Sequence, residues 1–220
     1  MKKSYIGLAF IILIFGIWVV NEIIKRSDNG SLILDNVKNS GTNSLFEIGS
    51  APRFELTNQD GKIVTDQDYL GKVYVLEFFF STCPTICPKM NQNMLKLQDE
   101  FGNNENFGIA SITINPENDT PEVLKEHAKH LGVTMNSWNM LTGDRNYIYD
   151  LSNKGFNLYA KENKNVSGGF EHSGLFALID KEGNIRCRTD QYGNPILYYD
   201  GIDQTGVKNI IEDIKKLLQE

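Results

Sequence analysis

Apolar residues fall along this chain in patterns of different period, and each period predicts a different element. KVYVLEFFF (Lys72 to Phe80) and NFGIASITIN (Asn106 to Asn115) are nearly unbroken apolar, β-rich runs, which predict central strands buried on both faces. FELTNQDGKIV (Phe54 to Val64) breaks at Asp60-Gly61 and predicts a β-hairpin. WNMLTG predicts a third strand, and GLFALIDKEGNIRCR a second hairpin turning at Glu182-Gly183-Asn184. Helical spacing takes over elsewhere. Val207, Ile210, Ile211, Ile214, Leu217 and Leu218 predict a helix over Thr205 to Leu218. Further helices are predicted over Pro84 to Phe101, Pro121 to Leu131 and Asp144 to Gly155, with Asp119 or Thr120 available to cap the second. Strands alternating with helices and closing on a hairpin imply an α/β sheet of mixed direction.

A different pattern opens the chain. Tyr5 to Val20 carries no charge, Lys2, Lys3, Lys25 and Arg26 flank it, and no small-x-small cleavage site follows. Residues 1–26 are therefore predicted to form an uncleaved membrane anchor, its ends extended by snorkelling lysines. Basic residues on both sides leave its orientation open. Residues 27–47, rich in Ser, Asn, Gly and Asp, predict a linker of low order with one short strand at Leu32 to Leu34. The folded domain is predicted over 48–220. The whole chain of 220 residues has a formal charge of −6, with acids outnumbering bases, which argues against a nucleic-acid surface.

The chemistry centres on FFFSTCPTICPKM, where Cys83 and Cys87 follow a buried strand. A cysteine at a helix start meets unpaired N–H groups and the positive dipole end, so Cys83 is expected to be more acidic than a free thiol. Cysteines four apart on one helical face have Cα atoms roughly 6 Å apart, within disulfide range, and both sulfurs can point at one metal atom. A loop this short makes a poor structural staple. Redox pair and metal site remain open on spacing alone. Of three histidines, His127 and His130 lie on a helix face among Lys125, Glu126 and Lys129 and are expected to be solvated. His172, after a Gly-rich loop and just before a strand, is placed where a loop delivers side chains to the end of a sheet. The odd cysteine, Cys187, is expected to be a buried or partly buried free thiol.

The anchor, FELTNQDGKIV…GKVYVLEFFFSTCPTICPKM, SITINPENDTPEVLKEHA, LTGD and GGFEHSGLFALIDKEGNIR together resemble the SCO/SenC copper proteins, over about Ile48 to Leu218. The resemblance implies a thioredoxin-like fold, with the domain facing the periplasm from a bacterial inner membrane. It implies one copper ion, Cu(I) or Cu(II), held by Cys83, Cys87 and His172. The implied role is to assist assembly of the CuA centre of cytochrome c oxidase, whose CuA subunit is the implied partner. Two thiolates and an imidazole with an open fourth position also suit copper that is handed on, whereas structural zinc prefers four closed ligands.

Three positions depart from the family pattern: Thr85 between the cysteines, Asn115 before Pro116, and Glu171 before His172, where Asp is usual. Glu171 keeps the carboxylate; the other two remove negative charge near the site. The competing reading is a membrane-anchored thiol–disulfide oxidoreductase of the same superfamily, with Cys83 and Cys87 as the redox pair. The three-residue spacer and the histidine where such enzymes place a proline count against it. Copper binding is thus expected to be primary, and any reductase activity secondary.

Overall fold

The computed structural model describes residues 44–220 and isolated positions among the first twenty. All but those isolated positions of the predicted anchor, the Leu32 to Leu34 strand and nearly all of the linker lie outside the described residues. Among those described, no helix is long and apolar enough to cross a membrane.

The two apolar runs are the centre of the molecule. β4 (Val73–Phe79) and β5 (Phe107–Thr113) are buried at every position and pair in parallel, Val73 opposite Phe107 through Phe79 opposite Thr113. Parallel strands need covering on both faces, which explains why neither run alternates. β6 (Trp138–Thr142) continues the parallel set beside β5. Beyond it lies the hairpin of β2 (Glu55–Asn58) and β3 (Ile63–Thr65), with Gly61 at positive φ in its turn. On the other side of β4 come β9 (Leu175–Ile179), β10 (Asn184–Thr189) and the edge strand β1 (Phe46–Ser50), all antiparallel. Short β11 (Pro195–Ile196) and β12 (Tyr199–Asp200) pair with β10 and β9. The sheet runs β1-β10-β9-β4-β5-β6-β2-β3, mixed in direction.

Helices α1 (Cys87–Phe101), α2 (Pro121–Leu131), α3 (Arg145–Asp150) and α4 (Gln204–Gln219) cover this sheet. α1 buries Met90, Met94, Leu97 and Phe101, and α4 buries Val207, Ile210, Ile214 and Leu217 of the stripe that helical spacing predicts, with Ile211 and Leu218 partly buried beside them. α4 is fastened by wholly buried Asp213, which accepts from Arg188 Nε, Tyr199 Oη and Lys216 Nζ, each at 2.8 Å.

Three differences from the sequence reading bear on function. The helix predicted from Asp144 is helical from Arg145 to Asp150 and then widens into a π turn over Leu151–Gly155, closed by Phe156 N–H to Leu151 O. His127 is half-buried: with Leu124, Ala128 and Leu131 it forms the inward face of α2, stacks on Phe79 at 5.8 Å and meets Asn91 Nδ2 at 3.5 Å. Burial pushes its pKa down. Finally, the Gly-rich loop before the last hairpin belongs to a separate two-stranded ribbon, β7 (Ala160–Glu162) with β8 (Phe170–His172). Strands of three residues each, with the charged pair Lys161 and Glu171 at their centre, leave no alternation to read.

Candidate metal centre

β4 delivers the chain to the carboxyl end of the parallel strands, where open α/β sheets place their ligands. Phe80 stays buried, and the backbone then turns, with Cys83 N–H donating to Phe80 O at 3.2 Å. α1 begins only at Cys87, with Pro88 in its first turn. Cys83 therefore lies in the preceding loop, not on the helix as spacing suggests. The reason is local: Cys83 precedes Pro84, whose ring disfavours helical backbone at 83. Two cysteines that were expected on one helical face are brought together by a turn and a helix start.

That loop is held from below by a residue that sequence reasoning assigned elsewhere. Thr120, with its side chain accepting from Val123 N–H, caps α2, and this frees wholly buried Asp119 for another task. Its Oδ2 accepts from Ser81 N–H (3.0 Å) and Thr113 Oγ1 (2.5 Å), and its Oδ1 from Ser81 Oγ (2.5 Å) and Asn118 Nδ2 (2.8 Å). One carboxylate thus ties the end of β5 to the segment entering Cys83. Asp119→Asn turns one acceptor oxygen into a donor facing donors. It is expected to lower stability by about 1–2 kcal/mol in denaturant unfolding, and an unchanged midpoint would show the clasp to be dispensable.

His172 arrives from β8, paired opposite Ala160. Its Nε2 lies 3.1 Å from Cys87 Sγ, and the thiol sulfurs and a ring nitrogen all fall within 4.8 Å of one another. Phe80 packs edge-on against the imidazole at 6.0 Å. The other ring nitrogen, Nδ1, is buried with no hydrogen-bond partner. A histidine kept for structure normally satisfies both nitrogens, so this ring is not accounted for by hydrogen bonding alone. Cys83 Sγ also approaches Thr85 Oγ1 at 3.6 Å. Beside the sulfurs a cleft of about 200 Å³ opens between Cys83, Thr85 and Ile86 on one side and Val166, Phe170 and His172 on the other.

Cys83 and Cys87 are not bonded to each other, and their proton affinities are driven apart. The hydrogen bond from Cys87 holds the Cys83 thiol below the ordinary range, while the same bond and burial push Cys87 up. Cys83 is the acidic member, as expected, but its neighbour's thiol does what a helix dipole was expected to do. Cys187 is wholly buried, takes no part in the cluster, and burial raises its thiol to about 11. Glu171 points its carboxylate at Tyr159 Oη (3.2 Å) and Asn163 Nδ2 (2.9 Å) on the rim. His130 stays exposed on α2, its Nδ1 2.7 Å from Glu126 O.

A profile of the SCO1/SenC family matches residues 44–205. The chain belongs to that family. A SCO1 protein homolog of Bacillus subtilis is 30% identical over 164 residues, spanning 74% of this chain and 79% of its own length. The structure of BsSco, described as a member of the Sco family of cytochrome c oxidase assembly proteins with a disulfide switch, superposes with a TM-score of 0.66 at 28% identity. It covers 79% of this chain and 97% of that one. Yeast Sco1 with copper bound gives a TM-score of 0.54 at 29% identity, covering 76% and 88%.

Within this family frame the donor set has a plain chemical meaning. Two sulfurs and one imidazole nitrogen, half-sheltered and converging, form a soft site with no fourth His, Cys, Asp or Glu donor among the described residues. Asp119 was legible in the sequence only as one of two cap candidates beside Thr120, and the glycines before His172 only as a Gly-rich loop, not by the contacts they make.

Proposed function

We propose that this chain is a membrane-anchored copper metallochaperone that assists assembly of the CuA centre of cytochrome c oxidase. Cys83, Cys87 and His172 hold one copper ion, and the CuA subunit receives it. The observation that carries the reading is the convergence of Cys87 Sγ and His172 Nε2 with Cys83, across 85 residues of sequence. The names of BsSco and of copper-bound yeast Sco1 support the same role.

The chain's own part is to keep a proton off Cys83, to hold the imidazole against the sulfurs, and to leave one side open. Copper supplies the affinity for soft donors that lets the acceptor's ligands draw it away. Residues 1–26 anchor the protein in a bacterial inner membrane, the linker predicted over 27–47 runs into β1 at Phe46, and the sheet domain that follows binds copper on the periplasmic side; the uncharged Tyr5 to Val20 run supports the anchor.

A second reading rests on one observation, two cysteine thiols brought together beside an open cleft, which suits thiol–disulfide exchange as a secondary activity on a target's cysteines. An anaerobic copper titration of the reduced protein tests the first reading. The expected result is one retained copper per chain with sulfur-to-copper(II) charge-transfer bands, lost in Cys83→Ser and Cys87→Ser. No retained copper, with rapid reduction of a test disulfide, would transfer the protein to the oxidoreductase class.

A further inference from the structure

The β7–β8 ribbon shares no hydrogen-bonded ladder with the main sheet, yet it carries His172 to within hydrogen-bonding distance of Cys87. Backbone pairing holds its far end, where Gly174 O accepts from Gly201 N–H just before β9, but no ladder sets how closely its loop approaches the cysteine segment. The loop between its strands is tied mainly to itself: Val166 N–H donates to Asn163 O, Gly169 N–H to Val166 O, and Asn163 N–H to Gly169 O. Its contact with the cysteine segment is made by packing. Phe170 meets the Phe80 ring at 5.2 Å, and Gly168 lies directly against Pro84, the residue after Cys83.

At Gly168 the fit leaves no room for a side chain. A Cβ there would sit 2.7 Å from Pro84 Cδ and 3.1 and 3.2 Å from two Phe80 ring atoms. Phe80 is buried in the core and Pro84 is rigid, so neither yields easily. Gly169 provides the contrast. Its φ of +80° nearly matches the +88° of Gly168, but a Cβ at 169 would meet nothing within 4 Å. Both positions favour glycine for backbone reasons; only Gly168 needs it for close approach.

We propose that Gly168 is a positioning residue for the metal centre: its bare Cα lets the His172 ribbon seat on Pro84 and Phe80, which fixes the imidazole at ligand distance from the cysteine sulfurs. Only three residues separate Gly168 from His172, so a displacement of the loop at Gly168 reaches the ring with little chain to absorb it. The inference rests on the copper reading for its consequence and on the metal-free geometry for its cause. A side chain at 168 lifts the ribbon and leaves a site of two sulfurs whose nitrogen donor is out of reach.

The test compares Gly168→Ala with Gly169→Ala in the full-length protein, by two readouts. In the reduced, metal-free protein, the imidazole nitrogen signals of His172 report the Cys87 contact by NMR; copper affinity is then measured by competition with a chelator. Gly168→Ala is expected to shift the His172 signals and to weaken copper binding by about tenfold to a hundredfold, the range for residues that orient a ligand, while Gly169→Ala, which carries the backbone strain without the clash, costs stability but moves both readouts far less. Equal losses in both variants would reduce the effect to backbone strain and overturn the proposal, as would wild-type behaviour in Gly168→Ala. Wild-type protein that binds no copper, with the His172 shift still confined to Gly168→Ala, would sink the copper reading and leave the positioning role standing. Should Gly168→Ala fail to fold, Pro84→Ala in the same chain removes the nearest clashing atom. Recovery of folding without recovery of the His172 signals would then count against the proposal; recovery of both supports it.

Discussion

Replacing His172 by Ala is expected to weaken copper binding by about a hundredfold or more while leaving thiol–disulfide exchange near its wild-type rate. The asymmetry follows from the geometry. The imidazole supplies the one nitrogen of the donor set, and its Nε2 faces Cys87 at 3.1 Å. It contributes no hydrogen bond through Nδ1, so removing the ring breaks no network outside the site. Packing against Phe80 is lost as well, which makes thermal unfolding a necessary control. Competition with a chelator measures the affinity, and reduction of a small disulfide measures the exchange. Equal copper affinity in the variant would remove His172 from the ligand set, whereas a parallel collapse of both activities would point to a distorted cysteine loop instead.

How far such a site is visible in advance depends on which physical signal each part leaves in the chain. β4 and β5 announced themselves because burial on both faces suppresses alternation, and α4 because a one-sided apolar stripe has a helical period. Cys83 and Cys87 stood out by spacing, and His172 by its glycine-rich approach. What escaped were features set by tertiary contact. The sheltering of His127 depends on Phe79 arriving from β4, whereas the late start of α1 at Cys87 has a local cause in Pro84. Asp119 was legible as a possible helix cap, but its actual partners, Ser81 and Thr113, come from other segments of the chain. Gly168 and Gly169 look alike in sequence; only the presence of Pro84 and Phe80 against one of them separates their roles.

The centre of β4 offers a final expected result, of a kind no apolar pattern predicts. Glu77 is almost wholly buried between Ser111 and Phe176 on neighbouring strands. Its Oε1 accepts from Ser111 Oγ at 2.7 Å, and Ser111 in turn accepts from Trp138 Nε1 at 3.0 Å, while Oε2 has no partner. Burial therefore dominates, and it pushes the carboxyl up to about 7, against the lowering effect of the Ser111 bond. With the folded pKa raised above the unfolded value of 4.5, the unfolded chain binds fewer protons between the two. The contribution of this group is thus fully present below about pH 4.5 and is lost as pH rises through 7, a difference of about 3 kcal/mol. Glu77→Gln keeps the shape and the bond to Ser111 but cannot ionise. It is expected to match the wild type at pH 4 to 5 and to exceed its stability by about 3 kcal/mol at pH 8. Subtracting one denaturation curve from the other across this range cancels His127, whose depressed pKa acts in the opposite direction as pH falls below its ordinary value. A difference that stays flat with pH would mean that the Glu77 carboxylate finds, in the folded protein, a partner that offsets its burial.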